Sequence, residues 1–248
     1  RLIEKCRSLE HCLCVGLDPH VDKIPSLFAR GSMSLDAPQT VGAVESFLLA
    51  VLELLNGKVP AVKPQSAFYE QLGVEGIELL RKVNEAGRAT GAEVILDAKR
   101  GDIGSTAAAY ARAYLRKGAA LEVDALTVNP YLGVGSLKPF VDMAVENQKG
   151  LFVLAKTSNP ESAELQNQHI NDVPLYAVVA ERLAADSQQL EGEETGWSGL
   201  GVVVGATTPE EALAVRGALG RGLFLVPGLG AQGGSAQAAV HGFSEGPA

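Results

Sequence analysis

Seven short apolar runs recur along this chain, and each is continuously hydrophobic rather than alternating between apolar and polar residues. Such runs are typical of parallel strands that helices cover on both faces. In chain order they are CLCVGLD (12–18), VPAVKPQ (59–65), EVILDAK (93–99), ALTVN (125–129), LFVLAK (151–156), LGVVVGA (200–206) and GLFLVPG (222–228). The segments between them, such as VGAVESFLLAVLELL, have apolar residues three and four positions apart, which predicts amphipathic helices. The pattern therefore predicts an α/β fold.

Strand–helix units in series fit either a (β/α)8 TIM barrel or a doubly wound open sheet. The polar residues favour the barrel, because they follow many strands, whereas an open sheet concentrates its site at one switch point. They are Asp18, Lys63 with Gln65, Asp97 with Lys99, Asn129, Lys156 through Asn159, and the glycine loop at Pro227. We predict a single barrel domain over residues 1–248, a common length for this fold.

The seventh run is followed by GGSAQAAVHGFSEGPA, which predicts a short helix and no further strand. We therefore expect the eighth strand to lie beyond residue 248. The chain also begins without Met, so we expect the sequence to be an incomplete view of a longer protein. The weakest order is expected at 19–40, a polar stretch rich in Pro, Gly and Ser, and at 158–172.

Composition excludes several classes of partner. The net charge of −8 disfavours nucleic acid and anionic membranes, which both need basic patches. No apolar run approaches the roughly 20 residues that cross a bilayer. Cys6, Cys12 and Cys14 are odd in number and crowd near one end, which predicts reduced thiols in a cytoplasmic protein. The histidines show no metal-ligand spacing, so we expect no metal site.

The segment ILDAKRGDIGST (95–106) ends a predicted strand with closely spaced charges. Asp97 and Lys99 are two positions apart, so regular strand geometry would point both side chains the same way. Lys63 and Asp18 end the two preceding strands, which predicts a patch of alternating lysine and aspartate. Asp102 lies past the strand, and this argument does not fix its direction.

Charge alternation decides which chemistry Lys99 could perform. Each neighbouring carboxylate favours a charged lysine, and groups coupled in this way titrate together. A Schiff-base lysine must instead be neutral to attack a carbonyl. We therefore predict that Lys99 is a proton donor. The alternative is a purely structural ion-pair network, which is less favoured because Lys63 and Asp18 end neighbouring strands.

DAKRGDIGST matches the pattern D-x-K-x-x-D-I-x-x-T and resembles the orotidine 5'-monophosphate decarboxylase family. Five further segments resemble that family in the same order: GLDP (16–19), VKPQSAFYE (62–70), TVNPYLG (127–133), KTSNP (156–160) and VPGLGAQGG (226–234). The long segment between GLDP and VKPQ is similar to the longer branch of the family, found in some bacteria and in apicomplexans.

The resemblance implies a cofactor-free and metal-free decarboxylation of orotidine 5'-monophosphate to uridine 5'-monophosphate (UMP) in a homodimeric barrel. It implies that Lys99 protonates the C6 carbanion and that Asp97 lies against the substrate carboxylate. Asp102, Ile103 and Thr106 would reach into the site of the partner subunit. The implied substrate-binding residues are Asp18 and Lys63 at the ribose, Gln65, Ser158 with Thr157 at the pyrimidine, Pro227 in the pocket wall and Gln232 at the phosphate.

General chemistry supports part of this assignment. A carbanion without an electron sink needs a fixed positive charge beside it, which a lysine ammonium supplies. A carboxylate beside the substrate carboxylate is repulsive in the ground state, and remote binding energy from the phosphate must offset that repulsion. The glycine-rich segment GLGAQGG offers backbone N–H groups to an anion, although it also fits a tight turn.

One departure concerns the phosphate. The family's Gly-Arg pair at the eighth strand has no match here, and Arg216 and Arg221 precede the seventh strand and are poor substitutes. We expect the phosphate-binding Arg beyond residue 248. Two alternative functions stay open: a Mg²⁺-dependent sugar-phosphate decarboxylase or aldolase of the same superfamily, and a non-catalytic phosphate-binding barrel. The absence of Glu at the first three strand ends disfavours the metal-dependent alternative.

Overall fold

A computed structural model describes residues 1–206, 209–228 and 235–243 of the chain. Each of the seven apolar runs forms a strand. They are β1 (Cys14–Leu17), β2 (Ala61–Pro64), β3 (Glu93–Arg100), β4 (Ala125–Val128), β5 (Gly150–Lys156), β8 (Ser198–Val204) and β9 (Gly222–Leu225). Two short strands, β6 (His169–Ile170) and β7 (Val173–Pro174), form an antiparallel pair.

Helices separate the strands as the spacing of apolar residues predicts. They are α1 (Leu2–Leu9), α2 (Thr40–Leu55), α3 (Ser66–Glu70), α4 (Gly73–Ala89), α5 (Gly104–Leu115), α6 (Lys138–Asn147), α7 (Ser162–Gln166), α8 (Leu175–Gln189), α9 (Pro209–Leu219) and α10 (Ala236–Ala239). Short 3-10 turns occupy Val21–Lys23, Val134–Leu137 and Val240–Gly242. Among the described residues, no helix is both long and apolar enough to span a membrane.

The described chain forms two compact units, and the first contains residues 1–98 and 117–125. In it β1, β2 and β3 lie side by side in parallel, with Leu17 opposite Pro64. Residues on successive strand positions are fully buried, including Val62, Val94 and Leu96, because helices cover both faces. The parallel register places the carboxyl ends of the three strands at one edge.

The opposite, amino-terminal edge of the first unit is held by buried carboxylates. Asp124 is 8% exposed; its Oδ2 accepts the Val94 N–H at 3.0 Å and its Oδ1 accepts Arg1 Nη2 at 3.2 Å. Glu93 accepts from Lys5 at 2.5 Å and from Arg1 at 3.2 Å. Polar groups on this edge of parallel strands contribute to stability rather than to catalysis.

Replacing Asp124 by Ala is expected to lower the free energy of unfolding by about 2 kcal/mol, because it leaves the Val94 N–H buried without this acceptor. Asp142 provides the matched control, since its only exchanged contact is an exposed pair with Lys138 at 2.6 Å on α6. Asp142→Ala is expected to cost less than about 0.5 kcal/mol. Urea denaturation of both variants measures the difference, and equal losses would contradict a structural role for Asp124.

The second unit contains residues 99–116 and 126–248. Its strands β4, β5, β8 and β9 are neighbours in chain order. Leu151 lies opposite Leu200 between β5 and β8, and Val202 lies opposite Phe224 between β8 and β9. The interior of these strands is apolar, and Leu200 and Val202 are fully buried.

Strand order within each unit distinguishes the two architectures considered from sequence. A doubly wound sheet reverses its strand order at a switch point, whereas a barrel keeps strands in chain order. Within each unit the order follows the chain, as the barrel prediction requires. No eighth parallel strand occurs in 1–206, 209–228 or 235–243. The prediction of one domain over residues 1–248 stays a prediction.

The segment predicted to be weakly ordered at 158–172 contains regular structure, namely α7 and the β6–β7 pair. The sequence gave no sign of the pair, because each strand has only two residues and no apolar run. At 19–40 the chain forms turns and the short 3-10 segment before α2, in keeping with its Pro, Gly and Ser content.

Candidate active site

Three predicted residues meet at the carboxyl edge of β2 and β3. The Oδ2 atom of Asp97 accepts hydrogen bonds from Lys63 Nζ at 3.1 Å and from Gln65 Nε2 at 3.0 Å. The residues are neighbours because Gln65 pairs with Asp97 in the parallel register. Asp97 is only 8% exposed, so this ion pair is largely withdrawn from water. The arrangement fixes the position of one carboxylate oxygen and leaves a buried negative group with a defined direction.

Asp18 belongs to the same edge of the first unit. Burial raises the pKa of the Cys14 thiol to about 12; Lys63 opposes that rise, and Asp18 and Asp97 add to it. Burial also raises the pKa of Tyr69, with a smaller contribution from Asp18, while the Tyr69 hydroxyl donates to the Leu17 carbonyl at 3.1 Å. Cys14 therefore stays a protonated thiol, as expected of a buried structural cysteine.

Lys99 has an unusual backbone conformation. Its φ is +47°, in the left-handed region that residues with a Cβ rarely adopt. The Lys99 N–H donates to Thr127 Oγ1 of β4 at 2.9 Å, and Thr127 is 1% exposed. Strained backbone of this kind is often retained at functional sites. Regular strand alternation therefore ends before Lys99, and the shared direction of Asp97 and Lys99 stays a prediction.

The turn after Lys99 is closely packed on the residues that follow β4. The Asn129 N–H donates to the Arg100 carbonyl at 2.8 Å. A Cβ at Gly101 would lie 2.7 Å from the Asn129 carbonyl oxygen, so only glycine fits there without a shift. Asn129 Oδ1 accepts the Tyr131 N–H at 3.0 Å, which is the local turn that its Asn-Pro sequence predicts.

Asp102, Ile103 and Thr106 lie at and before the start of α5. Asp102 is half-buried and its Oδ1 accepts the Ile103 N–H at 2.8 Å. Ile103 is 62% exposed and Thr106 is exposed. Arg100, which we expected to be solvated or at an interface, places its guanidinium 5.7 Å from the Tyr110 ring centroid and 6.0 Å from that of Tyr114.

Thr157 and Ser158 directly follow β5, as the sequence predicted, and both are half-buried. Pro227 is half-buried after β9, and its carbonyl accepts the Ala206 N–H at 2.9 Å. Gln232, predicted to close over the phosphate, lies outside the described residues. The structure therefore reports nothing on that prediction.

Arg216 is fully engaged elsewhere, in agreement with the prediction that it cannot replace the missing phosphate-binding Arg. Its guanidinium donates to the carbonyls of Gly242 at 2.7 Å and Gly222 at 2.6 Å, and lies 3.9 Å from the Phe224 ring centroid. Burial lowers its pKa to about 10. Arg216 thus joins the end of α9 to the segment around Gly242.

Two other features were searched for ligands. Within the described parts of the chain, no group of three or more His, Cys, Asp or Glu side chains could hold a metal ion. A cavity of about 570 Å³ opens in the first unit, and no predicted site residue lines it. Its lining includes His20, Ile24, Met33, Leu35, Phe68 and Gln71.

Comparison with known proteins gives the family. Residues 12–242 match the model described as "Orotidine 5'-phosphate decarboxylase / HUMPS family". The chain belongs to this family. An orotidine 5'-phosphate decarboxylase of Streptomyces coelicolor is 47% identical over 224 residues, which cover 89% of this chain and 75% of the relative. That of Rhodopirellula baltica is 43% identical over 228 residues, covering 90% and 75% respectively.

A solved structure confirms the fold class. The crystal structure of a Streptomyces avermitilis protein, described as a candidate orotidine 5'-phosphate decarboxylase, is 43% identical and has a TM-score of 0.81. The match covers 98% of this chain and 80% of that chain. The α/β fold of the (β/α)8 TIM-barrel class, predicted from the strand pattern, is therefore confirmed, as is the family that DAKRGDIGST resembles.

Proposed function

We propose that this chain is a carboxy-lyase that converts orotidine 5'-monophosphate to UMP and carbon dioxide in pyrimidine biosynthesis, without a cofactor. The observation that supports it most is the Asp97 carboxylate, which Lys63 and Gln65 hold at 3.1 and 3.0 Å at the ends of parallel strands. The names of the two curated relatives support the substrate.

In the proposed reaction the bond between C6 and the carboxylate breaks, and its electron pair stays on C6. No ring carbonyl can delocalise that pair, so the charge must be stabilised by a fixed cation nearby. The Lys99 ammonium fills this role and then transfers a proton from Nζ to C6. Water restores the proton on Nζ after UMP leaves. The strained backbone of Lys99, held by Thr127 at 2.9 Å, supports a position selected for function rather than for stability.

Asp97 is proposed to lie against the substrate carboxylate. The two hydrogen bonds from Lys63 and Gln65 converge on the same oxygen, Oδ2, so they orient the carboxylate rather than merely neutralise it. Repulsion between two carboxylates is relieved when carbon dioxide leaves. Binding energy from the ribose and phosphate offsets that repulsion in the bound substrate.

The remaining substrate contacts are proposed by motif position. Asp18 and Lys63 bind the ribose hydroxyls, with Gln65 beside them, and Pro227 lines the pocket. Ser158 and Thr157 face the pyrimidine edge, and Gln232 closes over the phosphate. A phosphate-binding Arg is proposed beyond residue 248.

A homodimer is proposed in which Asp102, Ile103 and Thr106 complete the partner's site. Exposed apolar side chains near the start of α5 support an interface there: Ile103 is 62% exposed, Tyr131 74% and Leu132 54%. Such residues are enriched in subunit interfaces. We also propose a cytoplasmic location, which the three free cysteines support.

Pyrimidine absorbance tests the function directly. On addition of orotidine 5'-monophosphate with EDTA present, we expect the absorbance of the substrate to fall at the same rate as without EDTA, because no step uses a metal. Loss of activity in EDTA that Mg²⁺ restores would favour the metal-dependent alternative. UMP binding without any turnover would favour a non-catalytic barrel.

A further inference from the structure

Lys156 is a buried cation that the proposed reaction does not use. It is the last residue of β5, is 2% exposed, and its Nζ donates to Ser162 Oγ at 2.9 Å. Burial lowers its pKa, while the charge of Glu211 on α9 opposes that effect. Withdrawing an ammonium from water costs free energy unless the group makes compensating bonds. Its burial therefore calls for a role beyond solubility.

The strand itself turns Lys156 toward this position. The register between β5 and β8 shifts between Leu154 and Lys156, which pair with Val203 and Val204 respectively. One residue of β5 is therefore extra, and such bulges redirect a side chain next to functional sites. The Lys156 carbonyl also accepts the Gly205 N–H at 2.8 Å, which extends the contact between the strands by one bond.

Gly205 fixes the residue that follows by close contact. A Cβ at position 205 would lie 2.7 Å from Ser158 Cα and 2.9 Å from both Ser158 Cβ and N. Real Cβ atoms essentially never approach so closely, so any larger residue at 205 would displace Ser158. The backbone of Ser158 therefore rests directly on the end of β8.

Thr157 is held from the other side by Gln166, the last residue of α7. Gln166 Oε1 accepts the Thr157 N–H at 2.8 Å, and Gln166 Nε2 donates to Thr157 Oγ1 at 2.9 Å. The Thr157 hydroxyl in turn donates to Asn159 Oδ1 at 2.7 Å. A threonine has one hydroxyl proton and one amide proton, so both donors of Thr157 are engaged.

The carbonyl oxygens of a pyrimidine ring need hydrogen-bond donors, and Thr157 has none left to offer. We infer that Ser158 rather than Thr157 supplies the side-chain donor to the pyrimidine, and that Lys156, Ser162 and Gln166 are positioning residues that hold Ser158. We call these three residues the β5 support. The inference rests on the proposed function, because it assigns the pyrimidine contact within that site.

A double-mutant cycle between Lys156→Met and Ser158→Ala tests the inference. Ser158→Ala is expected to weaken UMP binding about tenfold, the usual effect of one lost hydrogen bond. Lys156→Met is expected to raise KM and weaken UMP binding about fivefold, with a smaller effect on kcat. In the double variant the two effects should not multiply, because Lys156 acts only through Ser158. Calorimetry with UMP and steady-state kinetics measure all four proteins.

Gln166→Leu provides a second cycle with Ser158→Ala that leaves the buried ammonium in place, should Lys156→Met fold poorly. Gln168→Leu is the matched control, since Gln168 donates only to the Glu164 carbonyl at 3.1 Å on the exposed side of the same segment. It is expected to bind UMP as the wild type does.

Multiplying effects in both cycles would overturn the inference, because they would show that the β5 support acts on general stability. A Thr157→Val loss of UMP binding that persists in Gln166→Leu would also overturn it, by giving Thr157 a direct contact. Failure of the proposed function looks different, since the wild type would then show no decarboxylation in the absorbance assay.

Discussion

Lys99→Ala is expected to lose decarboxylation by a factor of about 10⁴ or more, because it removes both the proton donor and the cation that stabilises the C6 carbanion. UMP binding is expected to change by less than about tenfold, since phosphate and ribose contacts remain. Absorbance at enzyme concentrations high enough for single turnover measures the first quantity, and calorimetry with UMP the second.

Lys138→Ala is the control for loss of one lysine. Lys138 on α6 has a side chain 72% exposed and pairs with Asp142 at 2.6 Å, so its removal is expected to leave kcat and KM unchanged. Appreciable decarboxylation by Lys99→Ala would remove Lys99 from the proton-donor role. Loss of UMP binding in parallel with turnover would indicate that Lys99 serves binding instead.

Mixing two inactive variants is expected to restore activity if sites are shared between subunits. Asp102→Ala and Lys99→Ala should each be inactive as homodimers. In a heterodimer one of the two sites keeps both residues, so a random mixture of subunits is expected to recover up to about a quarter of wild-type activity. Activity is measured after the two variants exchange subunits.

Heterodimers must be shown to form, for example by mass spectrometry of differently tagged chains. Absence of recovery in proven heterodimers would mean that Asp102 acts in its own subunit. The matched control mixes Lys99→Ala with Asp97→Ala. Both residues are assigned to the same subunit's site, but each heterodimer site keeps one defective chain, so no recovery is expected.

Strands and most helices could be predicted from sequence because burial on both faces leaves continuous apolar runs. Glu93–Arg100 and Gly150–Lys156 extend the predicted strands by only one residue. The β6–β7 pair could not be predicted, since two-residue strands contain too few side chains to show a period. Its formation depends on the turn at Asn171 and Asp172, which adopt φ of 49° and 66°.

The meeting of Lys63, Gln65 and Asp97 was accessible from sequence because parallel strands align their carboxyl ends. Thr127 was missed as the partner of the Lys99 N–H, although a threonine inside the apolar run ALTVN was a usable signal. The positive φ of Lys99 had no signal at all, since lysine does not favour that conformation. Only the packed turn at Gly101 imposes it.

Lys156 shows where local sequence reasoning stops. Its place at a strand end allowed a catalytic, supporting or exposed role, and the structure excludes the exposed one, because the side chain is 2% accessible. The β-bulge and the contact of Gly205 with Ser158 depend on β8, some 40 residues further on. No window around KTSNP contains that information.

Exchange of the C6 hydrogen of UMP in heavy water tests the central claim most directly. If Lys99 delivers a proton to the C6 anion, the same step run backwards removes it, so wild-type enzyme is expected to replace C6–H with deuterium. Proton NMR of UMP follows the loss of the C6 signal without any decarboxylation. Lys99→Ala should bind UMP and leave that signal unchanged. Exchange at the wild-type rate in Lys99→Ala would contradict the account.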